Sequence, residues 1–220
     1  MYIFFDTEFT GLQKDTDLIS IGLITWGGST FYAEFTDYRK ELCDDWIKEN
    51  VINKLVLSGP NPRMKPNGIN YHIGTKAEIA SALREWLGQF LESVTLVSDV
   101  CHYDMTLFLD LFGGAFNAPN NVSPWCYDIM TDIIKYLNVS STGFRNPVNK
   151  LDIRNNGIEK AAFDMDREEL VKTLITKIGL PEEVKMDESI SMKHSALHDA
   201  RVIRLLFSLL NIYFNQNVNF

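Results

Sequence analysis

Three short stretches of this 220-residue chain hold the residue types that chemistry needs. The first is Phe4-Phe5-Asp6-Thr7-Glu8-Phe9-Thr10-Gly11-Leu12, in which two carboxylates stand at i and i+2 after an aromatic run. In a strand such positions point to one face, so Asp6 and Glu8 project together. Two carboxylates held that close repel unless a proton or a cation sits between them. Hard oxygen donors of this kind suit Mg²⁺ or Mn²⁺. An Asp-x-Glu is also an ordinary solvated strand end, so the reading depends on what else the chain supplies. The second stretch, Ser98-Asp99-Val100-Cys101-His102-Tyr103-Asp104, carries two more acids where a buried run gives way to a helix. Carboxylates at strand ends are where α/β folds place chemistry. The third, His194-Ser195-Ala196-Leu197-His198-Asp199, opens the last apolar helix. Positions five apart lie about 140° round a helix of ~3.6 residues per turn. If His194 and Asp199 act together, His194 therefore sits on the loop before the helix and Asp199 on its first turns. That is a fixed metal ligand beside a movable base, as metal-assisted hydrolysis requires.

The elements that must hold these groups follow from periodicity. Tyr2 to Phe5 reads as a buried strand, Leu18 to Trp26 as a second and Thr30 to Phe35 as a third. Gly27-Gly28 marks a hairpin between the last two, so the chain starts as three antiparallel strands. Residues 44–57 change to a helical period, with Trp46, Ile47, Val51 and Leu55 on one face and Asp44 or Asp45 as the cap. Ser58 to Gly74, with its prolines and glycines, is expected to be a loop. Thr75-Lys76-Ala77-Glu78 is a capping box, and its helix carries Ile79, Leu83, Trp86, Leu87, Phe90 and Leu91. Val94 to Ser98 is a short buried strand, Asp104 to Leu111 a helix stopped at Gly113-Gly114, and Ser123 to Tyr127 another strand. Asp128 caps a helix through Leu137. Residues 139–164, rich in Asn, Gly and Ser, read as an irregular surface excursion near a site or simply as a long loop. Asp166 to Glu169 is a second capping box, its helix ending at Gly179-Leu180-Pro181. An acidic loop over Pro181 to Ser191 leads to a long helix from about Ser195 to Tyr213, with Ile203, Leu206 and Leu210 inward. Trp86 and Trp125 are expected in the core. The order predicts an α/β or α+β fold with a mixed sheet, compatible with a ribonuclease H-like sheet but not chosen by pattern alone.

Composition sets the class. A single domain over residues 1–220 is expected, and 45% hydrophobic residues with 14 phenylalanines can fill a core. The net charge of −8 argues against a broad basic surface for duplex nucleic acid. It leaves room for an enzyme that grips a strand end through metals, since divalent ions supply local positive charge. Cys43, Cys101 and Cys126 are far apart with no metal-finger spacing, so reduced thiols in a cytoplasmic setting are expected. No secretory signal or membrane span is read from the sequence.

Asp-x-Glu on a first strand, an Asp opening a middle helix, and His-x4-Asp on a last helix occur in that order. Together they resemble the DEDDh 3′–5′ exonucleases, whose fold is ribonuclease H-like, with a mixed central sheet of about five strands flanked by helices. Phe5-Asp6-Thr7-Glu8-Phe9, Leu18-Ile19-Ser20-Ile21-Gly22, and Trp46-Ile47-Lys48-Glu49-Asn50-Val51 with Lys54-Leu55 look like the mycobacterial RNase AS-type exoribonuclease branch found in bacteria and phages. The likeness is strongest over residues 1–57 and around 97–108 and 194–201, and weak over 60–93 and 113–190. It implies two Mg²⁺ or Mn²⁺ ions: Asp6 bridging both, Glu8 on one, Asp199 on the first, and Asp104 on the second directly or through water. It implies His194 as the base that deprotonates the attacking water. Two ions roughly 3.5–4 Å apart would stabilise both the attacking and the leaving oxygen. The Tyr-Asp pairing and its spacing to Leu107-Phe108 favour Asp104 over Asp99, and the spacing to Asp199 favours His194 over His198. His102 reads as a surface or supporting residue and Asp128 as a helix cap. Thr10, Gly11 and Leu12 match the family's Thr-Gly-Leu turn, which touches the 3′-terminal nucleotide. Phe9 either stacks on the terminal base or packs in the core.

The resemblance therefore implies a metal-dependent 3′–5′ exonuclease that releases nucleoside 5′-monophosphates from single-stranded ends, with RNA favoured over DNA. An exodeoxyribonuclease with the same site, or a catalytically silent nucleic-acid-binding module, are the rivals. Relatives in the family are often dimers, which leaves a homodimer open.

Overall fold

The computed structural model describes residues 1–60, 68–143, 150–179 and 194–217. The chain divides into two compact units, the first Met1–Tyr127 with Glu188–Arg201, the second Asp128–Asp187 with Val202–Phe220.

The first unit is built on a mixed six-stranded sheet of order β4-β3-β2-β1-β5-β6. Its strands are β1 (Tyr2–Phe9), β2 (Leu18–Thr25), β3 (Thr30–Phe35), β4 (Ile69–Gly74), β5 (Val94–Ser98) and β6 (Val122–Asp128). β1, β2 and β3 are antiparallel, as the hairpin signal predicts, while β5 runs parallel to β1 and β4 parallel to β3. The sheet thus has one strand more than expected. β4 falls inside the stretch read as a loop: Ile69–Gly74 is only half-buried at the sheet edge, so it lacks the apolar run that marks a core strand. Residues 61–67 of that loop lie outside the described residues.

Short helices flank the sheet. α1 (Asp45–Asn50) starts where Asp44 Oδ1 accepts the Ile47 amide at 2.8 Å, and a single 3₁₀ turn at Ile52–Lys54 follows. Ile47, Val51 and Leu55 pack with Ile19 and Cys43. Trp46, expected on the same face, is 54% exposed. Trp46 and Ile47 are consecutive, so they sit about 100° apart on a helix and cannot both face inward. α2 (Lys76–Gly88) carries the complete capping box, and its Ile79, Leu83, Trp86 and Leu87 are buried. Leu91 lies past its end and is fully exposed. α3 (His102–Leu111) begins two residues earlier than expected. These helices enclose Ile3 and Phe5 of β1, Leu96 of β5 and Phe108 of α3 in the main core. Trp125 is not part of it. It stands 58% exposed on the edge strand β6, where no second layer among the described residues buries it.

The second unit is helical. α4 (Met130–Gly143) follows Asp128, whose Oδ1 accepts the Met130 amide at 2.9 Å. α5 (Lys150–Asp164) is interrupted at Gly157, which has φ +80°. The expected irregular excursion over 139–164 is therefore mostly helix, with residues 144–149 outside the described ones. Asn, Gly and Ser are weak helix formers, but packing outweighs propensity: Ala161 and Ala162 are buried. α6 (Arg167–Ile178) is capped by Asp166, which accepts the Glu168 and Glu169 amides, and stops at Gly179 with φ +86°. The acidic loop at 181–191 lies outside the described residues. α7 (Ala196–Asn217) has its first residues, through Arg201, in the first unit; its remainder belongs to the second and buries Ile203, Leu206 and Leu210. Among the described residues no helix is long and apolar enough to cross a membrane.

Candidate active site

β1 is the base of the site. It continues to Phe9 instead of ending at Phe5, so Asp6 and Glu8 lie inside its second half and share a face. β2 brings Gly22 opposite Asp6. A Cβ built on Gly22 would come within 2.3 Å of the Leu197 amide nitrogen. Only a glycine there lets the first turn of α7 lie against the sheet. That turn carries Asp199, whose amide donates to the Ser195 carbonyl at 3.0 Å. Asp6, Glu8 and Asp199 each offer a carboxylate oxygen, and these oxygens lie within 4.8 Å of one another. Among the described residues they are the only such cluster of His, Cys, Asp or Glu.

His194 sits just before α7, off the helix, where the five-residue offset puts it if it acts together with Asp199. It holds φ +62°, a left-handed conformation that is uncommon outside glycine. Its ring meets Trp46 edge to face, with centroids 5.0 Å apart. The three acids and His194 border a cleft of about 530 Å³, together with Phe9, Gly11, Leu12 and Trp46.

Asp104 is positioned differently. β5 pairs with β1 only at Tyr2, Ile3 and Phe4. Beyond that, Asp104 Oδ1 accepts the Thr7 amide at 3.0 Å and the Thr7 hydroxyl at 2.6 Å. Its Oδ2 accepts the Ser98 hydroxyl at 2.7 Å. Asp104 is buried and bound to the strand between the two acids, not gathered with the trio. Thr7 and Ser98 were not singled out by sequence reasoning. No local pattern reports a hydrogen bond across 97 positions.

The electrostatics are those of buried, mutually repelling acids. Burial raises the Asp6 carboxyl well above the usual range, and Asp104, Asp199, Glu8 and Asp99 add to it. Burial likewise raises Glu8, followed by Asp199 and Asp104, while Lys54 pulls the other way. Asp104 is pushed up to about 6, because burial outweighs the hydrogen bonds from Thr7 and Ser98. Carboxylates that resist ionising side by side are a donor set suited to a divalent cation. The residues therefore fit a hard metal ion.

The remaining expected residues are distributed unevenly. Phe9 is half-buried and stacks on Tyr103, with centroids 5.6 Å apart and planes at 20°. Thr10 is buried, its hydroxyl accepting the Asp17 amide and bonded to Thr16, so it ties the turn together. Thr10, Gly11 and Leu12 all border the cleft, and Leu12 is 69% exposed. Asp99 contributes charge to Asp6 and Asp104. His198, Asp99 and His102 are not among the residues bordering the cleft.

No family model matches the chain. Over 55 residues, 25% of its length, it is 36% identical to a 3′–5′ exoribonuclease of Mycobacterium tuberculosis, found alike in strains CDC 1551 and H37Rv. The matched stretch spans 33% of that relative's length. Among solved structures the chain is similar to the RNase domain of the yeast Pop2 protein, with TM-score 0.50 and 16% identity, covering 96% of this chain and 76% of that one. It is also similar to the Pan2 catalytic unit of Neurospora crassa, with TM-score 0.47 and 12% identity, covering 98% and 27%. The likeness to the Pop2 domain concerns the fold: an α/β mixed sheet of the ribonuclease H-like kind.

Proposed function

We propose that this chain is a metal-dependent 3′–5′ exonuclease acting on single-stranded nucleic acid, with RNA favoured over DNA, and releasing nucleoside 5′-monophosphates. The observation that carries the reading is the convergence of Asp6, Glu8 and Asp199 on one point of a cleft beside His194. In this reading Asp6, Glu8 and Asp199 hold Mg²⁺ or Mn²⁺, and Asp104 helps to hold a second ion directly or through water. Such ions supply Lewis-acid stabilisation of the charge that builds on a phosphate during displacement. His194 accepts the proton of the attacking water, and the Trp46 ring restrains its imidazole from one side. Leu12, Phe9 and Trp46 offer apolar surface on which a terminal base can rest. The net charge of −8 suits a short strand end better than a duplex track. Similarity to an exoribonuclease supports RNA as the favoured substrate.

The test is direct. Single-stranded RNA and DNA of one sequence, labelled at the 5′ end, are incubated with the protein in Mg²⁺, Mn²⁺ or EDTA. A metal-dependent ladder shrinking from the 3′ end is expected, faster on RNA. Faster loss of DNA would favour the deoxyribonuclease. Intact strands in every metal would overturn the catalytic reading.

A further inference from the structure

We propose that Arg39 is a positioning residue for substrate: by clasping Asp15 and Asp17 it holds the β1–β2 turn, residues 11–16, against the cleft. The inference rests on the exonuclease reading for what the cleft binds, though not for the clasp itself.

The turn between Phe9 and Leu18 borders the cleft through Gly11, Leu12 and Gln13. Its base is closed by the Thr10 amide donating to the Asp17 carbonyl at 2.9 Å and the Asp17 amide donating to the Thr10 hydroxyl at 3.0 Å. Past that closure its tip is exposed, with the Leu12 side chain in solvent and the Leu12 carbonyl accepting only a long bond from the Tyr103 hydroxyl at 3.5 Å. A bare tip on a short closed base is a segment that opens locally unless something outside it holds it.

Arg39 lies on the connection between β3 and α1 and does not border the cleft. Its Nε donates to Asp17 Oδ2 at 2.7 Å, and its Nη2 to Asp17 Oδ1 at 3.1 Å. Nη1 and Nη2 donate to Asp15 Oδ2 and Oδ1 at 2.7 and 3.0 Å, and Nη2 also reaches the Asp15 carbonyl at 3.3 Å. The Arg39 amide adds a bond to Asp17 Oδ2 at 2.9 Å. One planar guanidinium thus takes two carboxylates, each through a pair of donors, which a lysine point charge cannot reproduce. Lys76, at the start of α2, approaches Asp17 Oδ1 at 3.5 Å. Asp17 is almost buried and Asp15 almost fully exposed, so the grip on Asp17 is the persistent part and that on Asp15 is sensitive to salt. A turn already ordered before substrate arrives leaves less ordering to be done on binding. The clasp therefore acts on affinity and leaves the chemical step alone.

The full chain is tested as wild type, Arg39→Ala, Arg39→Lys and Asp15→Asn. Hydrogen exchange reads the turn without reference to activity. In Arg39→Ala the amides of Thr10 and Asp17, which close the base of the turn, are expected to exchange about tenfold faster or more, with those in the middle of β1 to β3 unchanged. Binding of a short fluorescent single-stranded RNA in Ca²⁺, and its cleavage in Mg²⁺, read the consequence. Kd and KM are expected to rise about tenfold in Arg39→Ala, with kcat within about twofold. Arg39→Lys should recover only part of this, and Asp15→Asn should show a smaller effect that fades at high salt. Unchanged exchange in Arg39→Ala, a fall in kcat at constant KM, or full recovery by Arg39→Lys would each overturn the proposal. A wild-type protein that neither binds nor cuts overturns the exonuclease reading instead, and the exchange result still decides the clasp.

Discussion

At the scale of single residues, the site is a set of charges that the fold places closer than water would allow. His194 is the residue whose loss should separate chemistry from binding. His194→Ala is expected to lower kcat by roughly 10²–10⁴-fold, with metal affinity by calorimetry nearly unchanged. If His198→Ala is the more damaging change in the same assay, the base has been misassigned. Asp104 gives a pH signature. Its carboxyl is pushed up to about 6 against an ordinary 3.8, so the folded protein binds that proton more tightly than the unfolded chain. Its stabilising contribution is full below about pH 4 and is lost as pH rises through about 6. The raised values of Asp6 and Glu8 act in the same direction. Asp17, held down to about 2 chiefly by Arg39, does the opposite: its contribution is present above about pH 4 and fades only toward pH 2. Between pH 4 and 6, denaturation in EDTA should therefore show stability falling, by on the order of 2–3 kcal/mol for Asp104. Asp104→Asn should flatten part of that slope, and an unchanged slope would remove Asp104 as its source.

At the scale of elements, Gly22 decides how α7 meets the sheet, and Glu34 how the segment after α1 is held. Gly22 on β2 is where α7 touches the sheet. Gly22→Ala puts a methyl group against the Leu197 backbone, and backbone cannot rotate aside. A loss of about 1–3 kcal/mol and weaker Mn²⁺ binding are expected, because Asp199 moves off the point shared with Asp6 and Glu8. Unchanged Mn²⁺ affinity would show that α7 tolerates the shift. Glu34 on β3 is fully buried and anchors the segment after α1. It accepts Tyr32 Oη, the amides of Val56, Leu57 and Ser58, and the Ser58 hydroxyl, at 2.6–2.9 Å. In Glu34→Gln one of the two accepting oxygens becomes an amide nitrogen, which cannot accept from the donors that face it. The change is expected to cost about 2 kcal/mol or more by urea denaturation. A loss under half that would mean the segment is held elsewhere.

At the scale of the whole molecule, ligand linkage is the sharpest observable. The acids repel one another without a cation, so Mn²⁺ or Mg²⁺ should raise the melting temperature, by an increment that grows with the logarithm of metal concentration. Asp6→Asn should start from a higher melting temperature in EDTA and lose most of that increment. A metal response equal to wild type would place the binding elsewhere.

The sequence alone determined what depends on near neighbours. The paired faces of Asp6 and Glu8 follow from strand alternation, the β2–β3 hairpin from Gly27-Gly28, and the start of α2 from Thr75 and Glu78. The five-residue offset between His194 and Asp199 already shows that the two cannot share one helical face. Each is settled within a turn or two of chain, where side-chain period and backbone hydrogen bonding leave few alternatives. Only the tertiary structure decided the rest. β4 becomes a strand because β3 offers it an edge, and α5 becomes a helix because Ala161 and Ala162 find a core. Trp125 stays exposed because no described element covers its strand face. Asp104 is turned toward Thr7, and Arg39 reaches back to Asp15 and Asp17, through contacts between residues distant in sequence. Such contacts are fixed by packing in three dimensions, and composition, period and spacing carry no record of them.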